Sequence, residues 1–285
     1  MKIITANAVG MCFGVRDALQ ILAEVDQPQS VAIYGELVHN DTVLYQLETR
    51  GFQKVSETQR NELPAAPRIV ITAHGISQRR RQELVDAGKT LIDTTCPLVA
   101  RVHCAAQDLA ATGAFVVVIG RADHVEVEGI TGDLESFAVV SSVADVRTYL
   151  AARIGVVCQT TFPTDEAAAI VRQIEICHPT ICVEWVDTIC QPTKDRQQAL
   201  LELLVRVQVV VVVGGRRSHN TLRLVETCRK RGMATFLVEG PEELDPGWFE
   251  GFETVGLTAG TSTLPETLQR VNARLIEISH AYCAH

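Results

Sequence analysis

Short runs of apolar, β-branched residues alternate along this chain with stretches that place apolar positions at helical spacing. The runs 69–72, 115–119, 154–158, 209–213 and 254–257 are nearly continuous in hydrophobicity. Such runs predict strands covered on both faces, because a half-exposed strand would alternate apolar with polar residues. Between them, 78–86 is charged and poor in strand formers. Thr164-Asp165-Glu166 opens a helical stretch over 167–174, and Pro265-Glu266 opens another over 267–278, with caps and acidic first turns that suit helix starts. Strand and helix in alternation predict parallel sheets with crossover helices.

The ends of the apolar runs carry the chemistry. Ala32-Ile33-Tyr34 leads to Val38-His39-Asn40, and Ile69-Val70-Ile71 to Ala73-His74-Gly75. Val116-Val117-Val118-Ile119 leads to His124-Val125-Glu126, and Gly155-Val156-Val157 to Gln159-Thr160-Thr161. Val211-Val212-Val213 leads to Ser218-His219-Asn220, and Val255-Gly256-Leu257 to Thr258-Ala259-Gly260-Thr261-Ser262. Ligands in open parallel sheets bind beyond the carboxyl ends of strands, so six polar turns at such ends are expected to serve one site. Two turns per unit imply three α/β units. Cys96 and Cys190 follow the second turns of the first two units, and Cys12 lies near the N-terminus. This is a weak internal repeat, with a third unit completed by the first residues of the chain. The expected boundaries are 14–96, 97–187, and 188–285 with 1–13.

Composition narrows the partners. An apolar fraction of 47% and a charged fraction of 21% over 285 residues are those of a globular protein. A formal charge of −8 argues against electrostatic binding to nucleic acid or an anionic membrane surface, which needs clustered Lys and Arg. The first residues lack the pattern of a secretory signal, and the longest apolar run, 207–213 interrupted by Gln208, falls far short of a membrane span. A cytoplasmic protein acting on small molecules is expected.

There are 9 cysteines, an odd number that suits reduced thiols better than a disulfide framework. Cys104, Cys158, Cys177, Cys182, Cys228 and Cys283 read as buried small hydrophobes. Cys96 and Cys190 lie in similar contexts, Asp93-Thr94-Thr95-Cys96-Pro97 and Asp187-Thr188-Ile189-Cys190-Gln191-Pro192, and Cys12 is flanked by Gly10 and Gly14. Three thiolates can hold three irons of a four-iron, four-sulfur cubane, leaving the fourth open as a Lewis acid. No dense ferredoxin-like cysteine spacing occurs. His39, His74 and His124, with Ser218, Asn220 and Ser262, are donors suited to a phosphate without a basic stripe. Glu126 is a candidate proton donor, and Thr160 a hydrogen-bonding partner for the reacting oxygen. His103, His178, His280 and His285 read as structural or exposed.

Taken in order, Gly10-Met11-Cys12-Phe13-Gly14-Val15, Val38-His39-Asn40, Ala73-His74-Gly75, Asp93-Thr94-Thr95-Cys96-Pro97-Leu98-Val99, His124-Val125-Glu126-Val127-Glu128-Gly129, Gln159-Thr160-Thr161, Ile189-Cys190 and Thr258-Ala259-Gly260-Thr261-Ser262 make the chain resemble the 4-hydroxy-3-methylbut-2-enyl diphosphate reductase (IspH/LytB) family over essentially its whole length. That family supplies the last enzyme of the methylerythritol phosphate route to isoprenoid precursors. The resemblance implies three similar α/β lobes in pseudo-threefold arrangement around a central iron–sulfur cluster. It implies one 4Fe-4S cluster on Cys12, Cys96 and Cys190 with an open iron. It implies diphosphate binding by His39, His74, His124, Ser218, Asn220 and Ser262, beside which His219 is a further substrate-binding candidate of this chain, and proton and hydroxyl handling by Glu126 and Thr160 with His124. The implied reaction is reductive removal of the allylic hydroxyl with two electrons, supplied by a ferredoxin or flavodoxin since the sequence shows no nucleotide fingerprint.

Four positions depart from the family pattern. Val125 stands where proline is usual, Pro192 where a small residue is usual, His219 replaces the second serine of a Ser-Ser-Asn turn, and Leu264 displaces a proline to Pro265. An alternative is therefore a paralogous dehydroxylase acting on another phosphorylated allylic alcohol, and a third reading is a non-catalytic iron–sulfur sensor.

Overall fold

The computed structural model describes residues 1–283, with side chains as far as residue 281; the side chain of Cys283 and all of His285 lie outside the described residues. The chain forms three four-stranded, all-parallel sheets. The first contains β2 (Val31–Tyr34), β3 (Gln53–Val55), β4 (Arg68–Ile71) and β5 (Thr90–Asp93), in the order β3-β2-β4-β5. The second contains β6 (Phe115–Ile119), β7 (Phe137–Val140), β8 (Arg153–Cys158) and β9 (Cys182–Trp185), in the order β7-β6-β8-β9. The third contains β10 (Val209–Val213), β11 (Ala234–Val238), β12 (Thr254–Ala259) and the N-terminal β1 (Lys2–Thr5), in the order β11-β10-β12-β1.

All three sheets share one topology, with the second strand at one edge, then the first, the third and a fourth. In the third sheet the fourth place is taken by β1, whose Lys2 to Thr5 pair with Thr254 to Leu257 of β12. The protein is thus built of three similar α/β lobes. The helices are α1 (Phe13–Ala23), α2 (Asp41–Thr49), α3 (Gln78–Asp86), α4 (Pro97–Ala111), α5 (Val125–Thr131), α6 (Thr164–Cys177), α7 (Gln191–Leu204), α8 (His219–Lys230) and α9 (Pro265–Cys283).

The central strands explain themselves through burial on both faces. In β10, Val209, Val211 and Val213 enter one apolar cluster with Val255, Leu257 and Val271, while Val210 and Val212 enter another with Leu200, Leu203 and Leu224. In β6, Val117 and Ile119 face Ile154 and Ile170, while Val116 and Val118 face Val102 and Leu109. Alternation along a strand sends neighbours to opposite faces, and here both faces are apolar. Each fully buried valine contributes roughly 1.5–3 kcal/mol relative to exposure, so these strands are the framework on which the loops hang.

The chain divides into two compact units. One consists of Met1–Val15, His39–Thr42 and the residues from Gln191 onward; the other consists of Arg16–Val38 and Val43–Cys190. No helix among the described residues is long and apolar enough to cross a membrane.

Candidate active site

In each sheet the strand order reverses between the first and third strands, and the loops leaving the carboxyl ends of those strands are where such sheets bind ligands. These are the six polar turns of the sequence. The cysteines sit just beyond, where the fourth strand of each sheet leaves the third.

The same bond recurs at each cysteine. The Cys96 N–H donates to the Ala73 carbonyl at 3.1 Å, the Cys190 N–H to the Thr160 carbonyl at 3.0 Å, and the Cys12 N–H to the Thr261 carbonyl at 3.0 Å. Ala73, Thr160 and Thr261 each lie two residues past the end of the third strand of their lobe. Each cysteine also stands at a helix start: Cys96 is the N-cap of α4, Cys12 immediately precedes α1, and Cys190 immediately precedes α7. All three are partly exposed and none is in a disulfide.

The remaining cysteines divide. Cys158 and Cys228 are buried, and burial pushes the Cys228 thiol up to about 11, as suits an inert core thiol. Cys104 and Cys182, by contrast, are exposed rather than buried, and Cys177 is half-buried. Cys104 is on α4 and Cys182 opens the edge strand β9.

Within the larger unit, His124 caps α5: its Nδ1 accepts the Glu126 N–H at 3.1 Å. With Nδ1 an acceptor, the proton of the neutral ring belongs on Nε2, which becomes the donor. The His74 and His124 rings lie edge to face with centroids 5.5 Å apart. Glu126 is not in an open turn, as the sequence suggests, but in the first turn of α5, and it is 2% exposed. Thr160 meets it from the β8 loop, the backbone N–H donating to Oε1 at 2.6 Å and the hydroxyl to Oε2 at 2.9 Å. Burial raises the Glu126 pKa to about 7, although both Thr160 bonds pull it down. A buried carboxyl balanced near neutrality is suited to delivering a proton.

Within the other unit, Ser218 is the N-cap of α8 and its hydroxyl accepts the Thr221 N–H at 3.4 Å. His219 and Asn220 are the first residues of the helix, and the Asn220 Oδ1 accepts the Thr261 N–H at 3.3 Å. Thr261 therefore joins Asn220 through its N–H and Cys12 through its carbonyl. The Asn40 amide donates to the Ser262 carbonyl at 2.6 Å, and the Ser262 hydroxyl donates to the His39 carbonyl at 3.5 Å. The His39 and His219 rings are 6.1 Å apart. Two hydroxyls, an amide and two imidazoles gathered at a helix N-terminus form a surface suited to an anion.

Of the histidines set aside in the sequence, His178 is structural. Its Nε2 accepts the Tyr149 N–H at 2.7 Å and its Nδ1 lies 2.7 Å from the Ile174 carbonyl. His280 is exposed, while His103 is buried on α4 against Gly75 and Gly129, its pKa lowered chiefly by burial.

Arg196 is a residue the sequence reading passed over. It is buried on α7 among Thr193, Ala199, Leu200 and Leu203, and its guanidinium donates to the Gly10 carbonyl. The available signal was register: positions 193, 196, 200 and 203 share one helix face, so an arginine there stands in the apolar stripe.

Among the described residues no three His, Cys, Asp or Glu side chains form a single-ion metal site. The chemistry of the thiols, each taken in its own unit, suits a group that brings its own inorganic sulfide. Three thiols at helix starts, each with its backbone N–H engaged in the same way, are the ligand type of iron–sulfur clusters.

Comparison with known proteins agrees along the length of the chain. The model of a family described as LytB protein matches residues 3–276. The chain is 37% identical over 284 residues to 4-hydroxy-3-methylbut-2-enyl diphosphate reductase 2 of Burkholderia mallei, covering 97% of this chain and 86% of that one. It is 37% identical over 290 residues to the 4-hydroxy-3-methylbut-2-enyl diphosphate reductase of Vibrio parahaemolyticus, covering 98% and 90%. Among solved structures, the E-1-hydroxy-2-methyl-but-2-enyl-4-diphosphate reductase of Plasmodium falciparum superposes with a TM-score of 0.87 at 28% identity, over 95% of this chain and 87% of that one. A second, the solved structure of an (E)-4-hydroxy-3-methyl-but-2-enyl diphosphate reductase described as the terminal enzyme of the non-mevalonate pathway, gives 0.69 at 32% identity, over 97% and 99%.

Proposed function

The chain belongs to the LytB protein family, and from that premise we propose that it is an oxidoreductase that converts 4-hydroxy-3-methylbut-2-enyl diphosphate to isopentenyl and dimethylallyl diphosphate. The observation that carries the reading is the buried Glu126–Thr160 pair, a proton donor held near neutrality at the first-and-third-strand turns of a family member. Cys12, Cys96 and Cys190 would hold one 4Fe-4S cluster. When bound, that cluster supplies electrons, taken singly from a ferredoxin or flavodoxin, and an open Lewis-acidic iron for the departing hydroxyl.

The chain's own residues handle charge and protons. His39, His74, His124, Ser218, His219, Asn220 and Ser262 bind the substrate, with the imidazoles and hydroxyls directed to the diphosphate. Two electrons and two protons are consumed as the C–O bond breaks. One proton leaves with the oxygen as water, and the other ends on carbon at either end of the allyl unit, which gives the two products. Glu126 is the proton source. Thr160 turns its hydroxyl with the carboxyl's state, donating to the carboxylate and accepting from the acid, so that it passes the proton toward the substrate oxygen. The protein is proposed to work in the cytoplasm, with lobes 14–96, 97–187, and 188–285 completed by 1–13.

Anaerobically purified, cluster-replete protein should consume reduced viologen on addition of the hydroxylated diphosphate and yield both products. Absence of turnover overturns the reading. The His39–His219 pair favours one second reading, a related dehydroxylase with another phosphorylated allylic alcohol as substrate. Rescue of a reductase-deficient bacterium at ordinary expression would exclude it.

A further inference from the structure

We propose that Arg196 is a positioning residue for the Cys12 turn, a role that rests on the cluster reading given above. Arg196 is 7% exposed and stands in the apolar stripe of α7, where a buried cation is strongly unfavourable unless its donors are satisfied. Its guanidinium donates to two backbone carbonyls. One terminal nitrogen donates to the Pro192 carbonyl in its own helix at 2.8 Å. Nε, at 3.2 Å, and the other terminal nitrogen both donate to one oxygen, the carbonyl of Gly10.

That carbonyl belongs to the turn that delivers Cys12 two residues later. Gly10 has φ +71°, a left-handed conformation that only glycine adopts without strain. On its other side the turn is tied to the end of β12 through a long 3.4 Å bond from the Gly10 N–H to the Ala259 carbonyl and a 3.0 Å bond from the Cys12 N–H to the Thr261 carbonyl. The fork from Arg196 anchors this turn through a side chain, and it comes from the helix that begins directly after Cys190. Two consequences follow. The planar guanidinium fixes the direction of the Gly10 peptide and hence the approach of the Cys12 thiolate, as an outer group does for a metal ligand. Its permanent positive charge also favours the more negative, reduced state of a thiolate-bound cluster.

The test compares full-length wild type, R196Q and R196K after anaerobic reconstitution. The readouts are cluster loss to a chelator, the EPR spectrum of the reduced state and the midpoint potential in a dye-mediated titration. Cluster loss should be about tenfold faster in both variants, because neither side chain forks onto one carbonyl. The midpoint potential should fall in R196Q and stay near wild type in R196K, which keeps the charge. Wild-type retention and EPR signals in both variants overturn the proposal while leaving the cluster reading intact; a wild-type protein that takes up no cluster overturns the cluster reading itself. If R196Q does not fold by circular dichroism, R196K decides alone: faster loss at an unchanged potential supports the role, and unchanged loss overturns it.

Discussion

Thr160 binds both oxygens of Glu126, with its backbone N–H on Oε1 and its hydroxyl on Oε2. The first bond fixes the carboxyl in place and the second connects it to a group that can exchange a proton. Glu126→Gln keeps the shape and both partners but has no acidic proton. It should lower kcat by about 10²- to 10⁴-fold, the usual contribution of a positioned acid, while the EPR spectrum of the reduced cluster stays that of wild type. Loss of the cluster in this variant would move Glu126 from chemistry to structure.

The same carboxyl ties stability to pH. Its folded pKa is raised from the ordinary 4.5 to about 7 by burial, so the folded state keeps a proton that the unfolded chain releases. Stability from this group is fully present below pH 4.5, falls as pH rises toward about 7, and is gone above it. The amount at stake is about 3 kcal/mol. Urea unfolding from pH 4 to 8.5 should show wild type losing stability relative to Glu126→Gln across that window. Parallel curves would mean that Glu126 ionises as an ordinary surface acid. In turnover the sign is the same, with kcat declining as pH passes about 7 and the acid form empties.

His219 offers a second, more local test. It stands 6.1 Å from His39 at the start of α8, between Ser218 and Asn220. His219→Ser should raise KM for the diphosphate by several-fold with little change in kcat. The difference should be larger at acid pH, where an imidazole carries charge and a hydroxyl does not. A change confined to kcat would place His219 near the reacting carbon rather than the phosphates.

The sequence exposed one class of element and hid another, and burial separates them. The apolar runs mark β2, β4, β6, β8, β10 and β12, the two central strands of each sheet; in β10 every residue from Val209 to Val213 is buried. The edge strands carry mixed patterns, as in Cys182–Trp185, where Cys182, Glu184 and Trp185 are exposed and Val183 is half-buried, so that no apolar run emerges. Helices α6 and α9 begin at the expected residues, Thr164 and Pro265, and run a few residues beyond the expected ends; Thr164 is the first helical residue rather than the cap, whose place Pro163 takes without a side-chain bond. Ligand-bearing turns were legible because compact polar groups interrupt apolar runs. Glu126 looked like part of such a turn because histidine is an unusual N-cap. Arg196 was hidden by its type: an arginine in an amphipathic helix reads as solvated until the carbonyl it serves, 186 positions away in sequence, is seen.

His103 supplies the last test, because two glycines of the site's motifs make room for it. A Cβ at Gly129 in α5 would come 3.2 Å from its Cε1, and a Cβ at Gly75 would come 3.4 Å from its Nε2 and 3.2 Å from the Thr95 methyl. Gly129 is helical, so alanine there gains about 1 kcal/mol of propensity against an overpacking cost of about 1–3 kcal/mol. His103 is buried on a packed helix and cannot yield, so Gly129→Ala should be destabilising overall. Gly75 has φ +70°, which adds backbone strain to the same crowding, so Gly75→Ala should cost more. Combining each with His103→Ala separates the two causes in denaturant unfolding. The double variant at 129 should recover the overpacking cost, whereas the double variant at 75 should keep the strain from its left-handed backbone. Equal recovery at both positions would show that the φ of Gly75 imposes no cost of its own, and no recovery at 129 would show that His103 is not what the glycine accommodates.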